Sequence, residues 1–116
     1  MGAWGIEVWE NDVAADLFAT VMEKVDTQFI LDLAKSILKA DDRYDEARAI
    51  AYIIATLGKH YIWPIEEFES LESIKLQLIT YLEGMLDENS EFMEVWENDE
   101  EICLQIRREI QSLKKD

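Results

Sequence analysis

"ARAIAYIIATLG", residues 47–58, decides the fold class of this chain. Ala47, Ile50, Ala51, Ile54 and Leu57 recur at spacings of three and four, the period of a helix face. Ala49, Ile53 and Ala55 make the remaining faces small or apolar as well, which marks a central helix covered on most sides. Gly58 stands where a left-handed stop residue belongs.

Working outward, the same period recurs. Val13, Leu17, Val21 and Val25, flanked by Phe18 and Met22, predict the buried stripe of a first helix opened by Asn11 and Asp12. Thr27 is the expected cap of a second helix, with Phe29, Ile30, Leu33, Ile37 and Leu38 inward. "DDRYDE" forms a turn and the start of the third helix. After it, "KHYIWPIEEFES" is irregular, because Pro64 lacks an amide hydrogen and biases Trp63 away from helical angles. Leu71, Ile74, Leu78, Leu82 and Met85 predict a fourth helix over about 71–87, and Ser90 caps the short "EFMEVWE". Ile102, Ile106, Ile110 and Leu113 predict the last helix. No alternating run competes for strand. The expectation is a single all-α domain over residues 1–116, an irregular bundle of five to six helices.

The chain has 116 residues, long enough to bury roughly two thirds of its unfolded surface without metals or disulfides. A lone cysteine, Cys103, forms no internal disulfide, and no long apolar run or leader pattern is present, so a cytoplasmic protein is expected. "MGAWGI" opens like an acylation signal, but Ile6 stands where Ser or Thr is required.

The net charge is −15, and its distribution is uneven. Residues 70–101 hold ten acids against only Lys75, whereas residues 102–116 hold four bases against Glu109 and Asp116. Such a surface repels nucleic acid and anionic membranes and attracts a basic protein. Glu83, Asp87, Glu88, Glu91, Glu94, Glu97 and Asp99 are the candidate protein-binding residues, with Phe92, Met93 and Trp96 interleaved as core or as interface anchors. The plainer account is a solvated helix face that keeps the protein soluble.

Motifs for chemistry are missing. His60 has no second histidine and Cys103 sits within an apolar stripe, so zinc lacks its usual ligands. "DENSEF" starts like a calcium loop, but its sixth position is Phe92 and its twelfth Asn98. Neither a phosphate loop nor a nucleophile elbow occurs. No residue is assigned as catalytic, metal-binding or cofactor-binding, and no cofactor is expected.

"MGAWG", an aromatic, then "ND-x-A-x-D" resembles the signature of a bacterial family of small proteins of unknown function. The resemblance uses Gly2, Trp4, Gly5, Trp9, Asn11, Asp12, Ala14 and Asp16. "ARAIAYIIATLGKH" and "EFMEVWENDEE" are similar to later stretches of that family, while Glu7 and Leu17 depart from it where Gly and Trp are common. The resemblance implies an all-α fold and carries over no catalytic residues.

Physically the signature reads as a joint: Gly2 and Gly5 let the backbone turn so that Trp4 packs on the bundle, and Trp9 staples the first turn. Three functional readings follow. The first is a non-enzymatic acidic interaction module, in its sharpest form an immunity or antitoxin-like protein masking a basic toxin. The second is a small hydrolase or ligand-binding protein using Asn11, Asp12, Asp16 or His60 in a cleft. The third is a homo-oligomer packing through an aromatic surface. "WEND" occurs at residues 9–12 and 96–99, each copy read as an aromatic followed by a helix-starting pair rather than as an internal repeat.

Overall fold

A computed structural model describes residues 4–115. It is all-α: α1 (Asp12–Met22), α2 (Thr27–Leu38), α3 (Tyr44–Leu57), a 3-10 turn at Ile65–Glu67 leading into α4 (Phe68–Met85), α5 (Glu91–Val95) and α6 (Glu100–Lys114), with no strand among the described residues.

α2, α3, α4 and α6 pack around one core, with α3 and α4 each touching the other three. The expected stripes of α4 and α6 are buried in full, as are Ala47, Ile50, Ala51 and Ile54 of α3. α3 is less enclosed than expected, since Tyr52 and Ile53 reach solvent. On its other flank Arg48 pairs with Glu109 of α6 through two parallel contacts, at 2.9 and 2.6 Å. Such a fork fixes orientation as well as adding charge-assisted bonds.

Gly58 ends α3 by a different device from the one expected. Its φ is −83°, not left-handed. Its N–H donates to the Ile54 carbonyl at 2.7 Å and its carbonyl accepts from Lys75 Nζ at 2.6 Å. A Cβ at Gly58 would collide with that same Ile54 carbonyl oxygen. Glycine is therefore required by close approach rather than by helix handedness.

Two stripes are corrected. α2 is capped by Asp26, whose carboxylate accepts from the Phe29 amide at 2.9 Å. Thr27 is buried instead, donating from Oγ1 to the Glu67 carboxylate at 2.8 Å. The buried face of α2 is Leu31, Ala34 and Ile37, so Phe29 and Leu33 face water.

The larger correction is α1. Val13, Leu17 and Val21, expected inside, are 79%, 59% and 54% exposed. Its inward side is Met22, buried, and Phe18, which meets Tyr61 at 5.9 Å between ring centroids. Trp9 stacks flat on Tyr61 at 4.3 Å rather than stapling the first turn. α1 otherwise stands apart from the helical core. The molecule is accordingly long, 55 × 29 × 19 Å, with a radius of gyration of 16.3 Å; a compact domain of this length has about 13 Å.

Candidate functional site

The acid-rich segment is held by small, local bonds. Ser90 Oγ donates to the Met85 carbonyl at 2.9 Å and accepts from the Met93 amide at 3.0 Å, capping α5 as expected. Phe92 and Met93 enter the core, and the Cys103 thiol packs against Met93 Sδ at 3.5 Å. Glu97 and Asn98 then take left-handed angles (φ 53° and 55°), and the Asn98 amide returns to the Met93 carbonyl at 2.9 Å. Asp99 caps α6 by accepting from the Glu101 amide at 2.8 Å.

The two "WEND" copies are thus different structures. In the first, Asn11 is the cap, accepting from the Ala14 amide at 2.8 Å with extended backbone. In the second, Asn98 forms the turn and Asp99 is the cap.

With the backbone arranged this way, Glu83, Asp87, Glu88, Glu91, Glu94, Glu97 and Asp99 all face solvent. Trp96, in the same segment, is 42% exposed, its ring tilted against Phe92 at 6.2 Å. A groove opens on either side of it. One, about 450 Å³, runs between Trp96, Val95, Phe92 and the Arg43–Glu46 end of α3. The other, about 570 Å³, runs toward Leu104, Gln105 and Arg108 of α6. Arg43 is engaged by Glu46 at 2.5 Å, and that contact holds the Glu46 carboxyl below its ordinary range.

Lys75 matters most for the charge. It is the sole base of residues 70–101, and it lies inside the protein, 4% exposed, on the Gly58 carbonyl. The acidic face therefore has no accessible base from its own segment. The sequence did not indicate this, because a lysine within an amphipathic helix normally lies on the outer side.

The residues of the alternative site do not converge. Asn11 is occupied as a cap and also donates to the Val8 carbonyl at 3.3 Å. Asp12 and Asp16 lie exposed on α1. His60, exposed and edge-on to Tyr61 at 5.1 Å, borders a cleft of about 610 Å³ between α1 and residues 60–67. That cleft is lined by Glu23, Glu66 and Glu67 and by none of Asn11, Asp12 or Asp16. Trp63, also in its wall, is buried and its Nε1 has no hydrogen-bond partner. No cluster of three metal-ligating side chains occurs among the described residues.

The signature residues divide similarly. Gly2 lies outside the described residues. Trp4, expected to pack on the bundle, is 57% exposed. Its N–H donates to the Glu10 carbonyl at 2.8 Å, and the Glu7 amide donates to Glu10 Oε1 at 3.1 Å. The turn closes over Glu10, whose carboxylate fills the space a Gly5 Cβ would need. Ala14 is half-buried on α1.

Fold and site together define a small all-helical protein with a partly exposed tryptophan between two grooves of mixed charge. The chain belongs to the family described as Domain of unknown function (DUF4259), whose profile matches residues 2–109. No curated protein and no solved structure matches it. Among the described residues no helix is long and apolar enough to cross a membrane.

Proposed function

We propose that this chain is a non-enzymatic, cytoplasmic protein-interaction module that receives a basic protein on the face around Trp96. The observation that carries this reading is the burial of Lys75, which leaves ten acids between residues 70 and 101 without an accessible base among them. A half-exposed Trp within a charged rim is the composition of an interface anchor. The charge steers a cationic partner inward, speeds its association and makes it salt-sensitive. In its sharpest form the module is immunity or antitoxin-like and masks a basic toxin such as a nuclease; nucleic acid and anionic membranes are repelled by the same field.

The test is recovery of the protein from its host at low salt, with identification of what elutes as salt rises. A basic protein is expected, and its retention should fall on Trp96→Ala and on the triple change Glu88→Gln, Glu91→Gln, Glu94→Gln. If no basic protein co-purifies and the triple variant leaves every phenotype intact, the reading fails.

A second reading, a small-ligand site, rests on the His60 cleft and the unpartnered Trp63 indole N–H in its wall. Retention that depends on His60 and not on Trp96 would favour it.

A further inference from the structure

The outer face of α1 is apolar, regular and uncovered. Val13, Leu17 and Val21 lie one turn apart along it. At about 100° per residue, Ala14 and Thr20 flank this stripe at about 60° from Leu17, while Asp12 and Asp16 fall about 100° or more from it. The stripe itself therefore carries no acid, in a chain of net charge −15. The arm is also held in place, through Trp9 and Phe18 on Tyr61, so the face is presented on a fixed element.

The geometry points to a second copy of this chain as the occupant, packed antiparallel along α1 about a two-fold axis at Leu17. The reason is the symmetry of the sequence. In "VAADLFATV", residues 13–21, Val13 and Val21 lie at equal offsets from Leu17, and so do the small residues Ala14 and Thr20. A two-fold contact requires a patch to be complementary to itself. Antiparallel pairing sets Leu17 on Leu17, Val13 on Val21, and Ala14 beside Thr20, which lets the helix axes approach closely.

Trp4, Ile6 and Val8, which precede α1 in the chain, are exposed as well. Together these six side chains offer roughly 600 Å² per copy, near the ~800 Å² that a standard interface takes from each partner. No residue of α1 lines either groove beside Trp96.

Sedimentation equilibrium over the micromolar to millimolar range tests the pairing. The mass is expected to rise from 13.6 kDa toward twice that value with concentration. Added salt should strengthen the association, because the seam is apolar and salt screens repulsion between two chains of charge −15. Leu17→Glu should weaken it roughly a hundredfold, since a two-fold axis counts the change twice, with helicity by circular dichroism unchanged because Leu17 is exposed.

Cysteine pairing fixes the register. In a Cys103→Ser background, Leu17→Cys should cross-link to itself under mild oxidation. Val13→Cys alone should not, its two copies lying about 12 Å apart along the axis, whereas a mixture of Val13→Cys and Val21→Cys chains should. A monomer at every concentration, an association indifferent to Leu17→Glu, one that salt dissolves, or a failure of Leu17→Cys to cross-link overturns the proposal.

Discussion

α1 and α6 are alike in sequence pattern and differ in what covers them. Each has an "ND" pair at its start, and each carries an apolar stripe at four-residue spacing: Val13, Leu17 and Val21 in α1, Ile102, Ile106 and Ile110 in α6. In α6 the stripe is buried against α3 and α4; in α1 it faces solvent. The difference lies in what occupies the opposite side. α6 turns Gln105, Arg107, Arg108 and Gln111 outward, so only one face can enter a core. α1 has a second apolar side, formed by Ala14, Phe18 and Met22. That side carries the larger ring and meets Tyr61, leaving the aliphatic stripe outside. Periodicity establishes that a helix has an apolar face, but the rest of the chain decides which face is covered.

The largest effect expected from this contrast is in α6. Ile106→Ala removes a side chain with no solvent exposure and should cost about 2–5 kcal/mol of stability. Denaturant unfolding at low protein concentration measures it. A loss below about 1 kcal/mol would mean that the α6 stripe is no better covered than that of α1, and the contrast would collapse.

How far the sequence was legible follows the same line. α4 and α6, each with one apolar and one polar side, match their expected stripes residue for residue. α1 and α2 offered competing stripes, and in both the face read from the sequence is partly or wholly outside: Leu17 in α1, Phe29 and Leu33 in α2. The acidic candidates Glu83 to Asp99 were legible as a run of charge. The lack of an accessible base within their own segment was not, because it depends on Lys75 reaching the Gly58 carbonyl across seventeen residues of chain. Gly58 itself was legible as a stop and misleading as to the reason.

Lys75 supplies the next test. Lys75→Met keeps the length of the side chain and removes the donor to the Gly58 carbonyl, leaving a buried acceptor unpaired. It should cost about 1–3 kcal/mol. Because Lys75 is buried, the same change should leave salt-dependent partner retention unaltered. Loss of retention with stability intact would place Lys75 in the interaction surface and sharpen the contrast between buried and exposed charge differently.

A pH effect tests the junction where α3 meets α4 and α5. Tyr81 donates to the Ala40 carbonyl at 3.0 Å, and Tyr44 lies 6.3 Å from it and 5.5 Å from Phe92. Burial pushes both phenols above their ordinary value of 10.0, with Glu91, Asp42 and Asp41 adding to the rise at Tyr44. The raised folded-state value means that the neutral phenols' contribution is complete below pH 10 and is lost as pH rises through the folded-state value. Unfolding midpoints should be flat between about pH 7 and 9 and fall above about 10. Tyr81→Phe should flatten part of that fall relative to wild type, which separates it from the titration of lysines.

The smallest expected effect is the mirror of the first. Leu17→Ala deletes as much apolar chain as a core substitution, yet in the isolated chain it removes little buried contact, since Leu17 is mostly solvated on both sides of the unfolding equilibrium. Alanine also has slightly the better helix propensity, so stability at low concentration should change by less than about 0.5 kcal/mol. The same comparison repeated at high concentration separates two kinds of exposed stripe. If the stripe of α1 is simply solvated, wild type and variant stay level. If a second copy covers it, the wild-type midpoint climbs with concentration while that of Leu17→Ala lags, because association stabilises only the folded chain that can pair. A cost at low concentration equal to that of Ile106→Ala would instead show that α1 had folded its aliphatic face inward, and the difference between the two helices would vanish.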